Sequence, residues 1–111
     1  MECIFCKIVN DEVKAKKVYE DDDIIAFHDL NPQAPTHILI IPKKHIENIL
    51  DLKEEDTYLI GKIHLAAKKI AIENKITDFR IVTNSGKKAG QSVFHIHFHF
   101  LSGRRFMWPP G

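Results

Sequence analysis

The segment Phe94-His95-Ile96-His97-Phe98-His99-Phe100-Leu101 constrains this chain more than any other. Apolar and imidazole side chains alternate along it. Strand side chains point to alternate faces, so the pattern predicts a final strand over 94–101. Phe94, Ile96, Phe98 and Phe100 face a core, and His95, His97 and His99 share the other side. One imidazole on a sheet face is ordinarily structural; three at period two, opposite an unbroken apolar face, point to a site. A rise of about 3.4 Å per residue puts His97 and His99 about 7 Å apart, within reach of one phosphate. His95 and His99 are about 14 Å apart, too far to share one atom unless the strand bends. The expectation is a division of labour, with two histidines at the reaction centre and His95 serving elsewhere. The rival is a transition-metal centre on the His-x-His spacing. No carboxylate follows Asp78, so a ligand from the N-terminal half would have to complete it.

With 111 residues the chain has room for one domain, 1–111, in which 103–111 reads as a tail. A 44% apolar and 28% charged composition excludes disorder as the main reading. The net charge of +1 argues against a nucleic-acid polymer or a membrane surface as partner. The distribution says more: after Asp78 there are five bases and no acid, which suits an anionic ligand. No apolar run reaches the ~18–20 residues of a membrane span. The opening Met1-Glu2-Cys3 lacks a basic leader region. Cys3 and Cys6, three apart, have metal or redox spacing rather than that of a disulfide framework, and fit a reducing cytoplasm.

Cys3 to Val9 reads as a short apolar helical turn with Ile4, Phe5 and Ile8 on one side. Glu20-Asp21-Asp22-Asp23 reads as a solvated hairpin turn between runs at 17–19 and 24–28. Thr36–Ile41 is a buried strand stopped by Pro42. Asp51 with Glu54 matches a capping box. Leu59, Ile63, Ala66 and Ile70 then recur as one helical face. Phe79–Asn84 is a strand, and 85–92 a loop. The prediction is an α+β fold: a five-stranded antiparallel sheet, one long helix and a short N-terminal helix. His28 reads as structural and His64 as solvent-facing.

The loop before the histidines carries Asn84, Gly90, Gln91 and Ser92: amide and hydroxyl donors with close backbone approach. Free N–H groups in such a loop can form an anion nest. Phosphoryl transfer needs a nucleophile beside donors for the phosphoryl oxygens.

Asn84-x-Gly86…Gly90-Gln91-Ser92-Val93-x-His95-x-His97-x-His99 resembles the signature of the histidine triad (HIT) superfamily. The resemblance runs over nearly the whole chain, through Cys3-Ile4-Phe5-Cys6, Ala26-Phe27-His28-Asp29, Pro35-Thr36-His37 and Pro42-Lys43-Lys44-His45 to Trp108-Pro109-Pro110-Gly111. The set is most similar to the Hint branch, the purine nucleoside phosphoramidases. The resemblance implies a metal-independent nucleotide hydrolase acting on purine nucleoside 5′-phosphoramidates or related acyl-nucleotides. His97 would be the nucleophile that forms a nucleotidyl-histidine. His99, Asn84, Gly90, Ser92 and the backbone of Gln91–Val93 would hold phosphate, and His37 would help handle the leaving-group proton. Asp29 would bind ribose, and Ile4, Phe5, Ile8, Phe27 and Leu30 would pocket the base. It further implies a homodimer with a continuous sheet, whose tail carries Trp108 to the partner's leaving-group side. Phe106-Met107 stands where relatives often have a histidine. Lys87 and Lys88 would favour anionic leaving groups.

The resemblance also implies structural zinc on Cys3, Cys6, His45 and His95, a Cys₂His₂ set, against two plain buried thiols. A nucleotide-binding adaptor with vestigial catalysis is the rival reading of another class.

Overall fold

The computed structural model describes residues 3–111, and one antiparallel sheet organises it. Its strands are β1 (Lys17–Glu20), β2 (Ile24–His28), β3 (Thr36–Pro42), β4 (Phe79–Val82) and β5 (Phe98–Ser102). Their spatial order is β1-β2-β3-β5-β4, leaving β1 and β4 as edges. Two helices complete the α+β fold: α1 (Ile4–Val9) and α2 (Thr57–Glu73). No helix among the described residues is long and apolar enough to cross a membrane.

Alternation divides the sheet into two unlike faces. Ile24, Ala26, Ile38, Ile40, Phe98 and Phe100 pack under α2, which buries Leu59, Ile63, Ala66 and Ile70 against them. Each large aliphatic side chain so buried contributes about 1.5–3 kcal/mol. The register pairs Leu39 with His99, His37 with Leu101 and Arg80 with Leu101. The opposite face therefore carries His37, Leu39, His99, Leu101, Arg80 and Val82. The short helix α1 covers only part of it, packing Phe5 and Ile8 on Ile25, Phe27, Leu39 and Ile41.

The hairpin falls where the acidic turn predicts it, and Asp21 Oδ1 accepts the N–H groups of Asp23 and Ile24 at 2.8 Å. Two expectations need correction. The capping box is not Asp51/Glu54. The carboxylate that caps is Asp56, which accepts from Lys53 N at 3.0 Å and from Lys44 Nζ at 2.6 Å. Short 3₁₀ turns at Ile49–Asp51 and Glu54–Asp56 precede α2, which starts at Thr57. The last strand is also shorter than predicted. Residues 94–97 leave the ladder, so β5 begins at Phe98. Phe94 is exposed, while Ile96 stays in the core and donates its N–H to Ile46 O at 2.6 Å. A flat strand would keep the three histidines in a row; the bend turns His95 away from the other two.

Candidate active site

Chain direction in this fold brings four segments to the edge of α1: the end of β2, the start of β3, the bend before β5, and β5 itself. They enclose a cleft of about 280 Å³ lined by Phe5, Ile8, Phe27, Asp29, Ser92, Val93, His97 and His99, with Ile4 and Leu30 also on its wall. Phe5 stands edge-on to Phe27 and to His97, with centroids 5.5 and 5.2 Å away. Leu30 is fully exposed and Ile4 partly so, which places both at the rim rather than in the floor. Val13, Ala15 and Leu39 line the same cleft. Sequence reading missed them because each is an ordinary apolar residue in an ordinary strand or turn.

Hydrogen-bond direction fixes the state of each ring. His97 Nδ1 lies 2.8 Å from the carbonyl oxygen of His95. A carbonyl only accepts, so Nδ1 carries the hydrogen and Nε2 keeps its lone pair. Thr83 Oγ1 donates to His97 O at 2.9 Å and holds the same segment from the other side. At His37 the order is reversed. The N–H of Gln33 donates to His37 Nδ1 at 3.0 Å, so the neutral ring's hydrogen is on Nε2. That nitrogen is 2.8 Å from His99 Nδ1 and 3.5 Å from Asp29 Oδ2. His99 Nδ1 therefore accepts, and its Nε2 carries a hydrogen. The site thus offers one imidazole lone pair, on His97, beside one imidazole donor, on His99. Burial lowers the pKa of all three rings. His99 falls to about 4, through burial first and then its neighbours His97 and His37. All three are neutral at pH 7.

The loop at 85–92 is built on Gly86 and Gly90, at φ 100° and 103°. Only glycine adopts these values without strain. The side chain of Gln91 is not a free donor. It is buried, its Oε1 accepts from Gly86 N at 2.8 Å, and its Nε2 donates to Glu47 O and Val93 O at 2.6 and 3.1 Å. It scaffolds the loop, and even its backbone N–H is spent on Gly86 O. Among the described residues, the amides of Ser92 and Val93 donate to nothing. Asn84 lies against Gly90 and lines a second groove beyond His99.

His95 belongs to another cluster. Its Nε2 donates to Pro42 O at 2.7 Å, which leaves the Nδ1 lone pair facing Cys3 Sγ at 3.5 Å, Cys6 Sγ at 3.6 Å and His45 Nδ1 at 3.2 Å. Cys6 Sγ is 3.2 Å from His45 Nδ1, and the four donor atoms all lie within 4.8 Å of one another. The edges of a tetrahedron of zinc–sulfur and zinc–nitrogen bonds are about 3.3–3.8 Å, so the donor set fits such an ion. Burial and the adjoining Cys3 push the Cys6 thiol up to about 11. His95 is thus separate from the reaction centre, and the three imidazoles do not converge on one point. Trp108 lines neither the cleft nor the groove, and its side chain is largely exposed. His28 sits exposed on the cleft wall. His64 is on the outer part of α2, with Nδ1 2.8 Å from Ile60 O.

Comparison with known proteins agrees with this geometry. Residues 2–107 match a family model described as "Scavenger mRNA decapping enzyme C-term binding". An uncharacterised HIT-like protein of Synechocystis is 50% identical over 111 residues, covering 99% of this chain and 97% of the relative. A HIT family hydrolase from Legionella pneumophila superposes with a TM-score of 0.96 at 48% identity, covering 99% of this chain and all of that one. A histidine triad protein from Clostridium difficile gives 0.92 at 46%, covering 96% and 95%. Across that whole length, with the imidazoles in the positions described, the chain belongs to the histidine triad (HIT) superfamily.

Proposed function

We propose that this protein hydrolyses purine nucleoside 5′-phosphoramidates, or related activated monophosphates such as acyl-nucleotides, through a nucleotidyl-histidine on His97. The observation that carries this reading is the 2.8 Å bond from His97 Nδ1 to the His95 carbonyl, which frees Nε2 as a neutral nucleophile inside the cleft. The Legionella relative is itself described as a hydrolase.

In the first step the Nε2 lone pair attacks phosphorus. The P–N bond breaks, and its electron pair leaves with the nitrogen, which takes a proton from water at the rim. Nδ1–H stays on the His95 carbonyl, so the phosphorylated ring is cationic and a good leaving group. Water then attacks phosphorus, the electron pair returns to Nε2, and the water gives back the proton taken up before. The Nε2–H of His99 and the amides of Ser92 and Val93 donate to the phosphoryl oxygens. His37 acts through His99, holding it in the donor tautomer, which refines the proton-handling role that the resemblance implies. Asn84, beside Gly90 and on the groove at His99, adds an amide donor for the phosphate. Asp29 meets the ribose, and the apolar cleft takes the base, with Phe5, Ile8 and Phe27 inside and Ile4 and Leu30 at its edge.

No metal takes part in these steps. Cys3, Cys6, His45 and His95 would hold a structural zinc ion, whose chemistry there is to bind two thiolates and pin α1 to the bend before β5. A homodimer joined through the β4 edge completes the reading and would bring Trp108 to the partner's site.

The test is a labelled adenosine 5′-phosphoramidate, quenched by denaturation at mildly alkaline pH and mapped by peptide. Label is expected on the peptide that contains His97. His97→Ala should lose that label and lower kcat at least about 10³-fold. Near wild-type turnover by that variant would refute the assignment.

A further inference from the structure

The nucleotide cleft and a second groove meet at His99. The groove, of about 290 Å³, is lined by Gln33, His37, Asn84, Arg80, Arg104 and Phe106 among others. Strand register explains why Arg80 is there. Val82 pairs with His99 and Arg80 with Leu101, so Arg80 shares the histidine face, two residues or about 7 Å along from His99.

Two guanidinium groups converge on one ring. Arg80 and Arg104 lie 5.3 and 4.3 Å from the centroid of Phe106. Their hydrogen bonds go only to carbonyl oxygens: Arg80 Nη2 to Met107 O at 3.0 Å, Arg104 Nε to Gln33 O at 3.0 Å and Arg104 Nη1 to Arg105 O at 3.0 Å. Among the described residues neither has a carboxylate partner. Each keeps unused N–H groups and a full charge. Both guanidinium groups lie over the Phe106 ring and are bonded to carbonyls, so part of the ordering a ligand would impose is already in place. Lys87 and Lys88, the cations that the sequence put beside the phosphate loop, do not line this groove.

The groove also lies where a displaced group must go. His97 stands edge-on to Phe5 of α1 on the cleft side of His99, so its attack would come from there, and in-line displacement would expel the leaving group on the far side of phosphorus, toward the groove. We propose that the groove is a subsite for an anionic leaving group, in which Arg80 and Arg104 bind a carboxylate carried by the departing amine. This rests on the nucleotidyl-transfer reading above and names its substrate class: nucleotide phosphoramidates of amines that bear a carboxylate. Arg80 and Arg104 are specificity-determining residues, since they touch the leaving group and not the phosphorus.

Three adenosine 5′-phosphoramidates test it, made with β-alanine, β-alaninamide and 1,3-diaminopropane. They share one P–N bond and differ at the far end: anionic, neutral and cationic. Wild-type kcat/KM should favour β-alanine over β-alaninamide about tenfold, as charge-assisted hydrogen bonds at a half-exposed site allow, with the diamine last. That preference should fall as ionic strength rises. In the Arg80→Gln/Arg104→Gln variant the ratio of anionic to neutral substrate should drop to about twofold or less. A ratio reads specificity independently of how much of the variant folds. Equal wild-type values for the anionic and neutral substrates, or a ratio that survives in the double variant, overturns the subsite and leaves the nucleophile assignment standing. No turnover of any of the three, with no label on His97, overturns both.

Discussion

At the scale of residues, function follows from which nitrogen holds a hydrogen. One carbonyl, that of His95, and one amide, that of Gln33, set the tautomers of His97, His37 and His99 in turn. Nothing in the spacing of the histidines announces this. The Gln33 amide comes from a loop 66 positions before His99, and the carbonyl points at His97 only because the chain bends. Thr83, which braces the same segment, was legible only as a β-branched residue near a strand end. The lowered pKa values give a prediction. Protonation of His99 removes the lone pair that accepts from His37, and burial holds its pKa near 4. His37 is also shifted below the ordinary histidine value. The acid limb of kcat/KM, which reports the free enzyme, should therefore lie below pH 6.5. A midpoint at pH 6.5 or above for that limb would contradict the neutral chain. The sign for stability is the same. The unfolded chain binds more protons than the folded one between about pH 4 and 6.5, so the contribution of His99, present above 6.5, is lost as pH falls through 4.

Among the elements, the bend at 94–97 matters most. The alternating pattern was right about faces for His97 to Leu101, and it placed Ile96, Phe98 and Phe100 in the core. It was wrong that a strand runs through Phe94, because a period of two does not show where pairing stops. Here the ladder ends once Ile96 bonds to Ile46 and His95 turns toward Cys3, Cys6 and His45. The start of the long helix also depends on a partner outside it: the Asp56 carboxylate closes the 3₁₀ turn onto Lys53 N and pairs with Lys44, and α2 begins at the next residue, Thr57. The four-residue cluster ties the start of α1, the end of β3 and the bend into one unit. Protein prepared without chelator should carry close to one zinc per chain. Cys6→Ser should abolish that content and lower Tm by several degrees, on the order of 4–8 °C per kcal/mol lost in a domain this small. Less than about a tenth of an equivalent in the wild type would reject the zinc assignment.

Across the whole molecule, the sheet uses one face for stability and the other for chemistry. The long helix covers the middle of the first, leaving Phe79 at its β4 edge exposed; α1 covers part of the second, and the cleft and the groove at His99 occupy the rest. The outer face of α2 also exposes Tyr58, Leu65 and Ile72, seven residues apart. Together with the exposed Trp108, that stripe is apolar surface that the proposed dimer would bury. Sedimentation should return about twice the chain mass of 12.8 kDa. Leu65→Glu with Ile72→Glu should shift the protein to monomer, since burying two carboxylates in an apolar contact is costly. A wild-type monomer, or a dimer indifferent to both charges, would place any interface elsewhere.

Alternation, helical period and backbone strain are local properties, so the two faces, the long helix, the glycine loop and the group of histidines were legible along the chain. Only the folded chain settles which imidazole keeps a lone pair in the cleft, which offers a hydrogen there and which lies beside two thiols, and only there does Arg80 meet Arg104 over one ring. Those outcomes depend on hydrogen bonds and ring contacts between residues distant along the chain. Such partners exist only once the sheet has fixed its register.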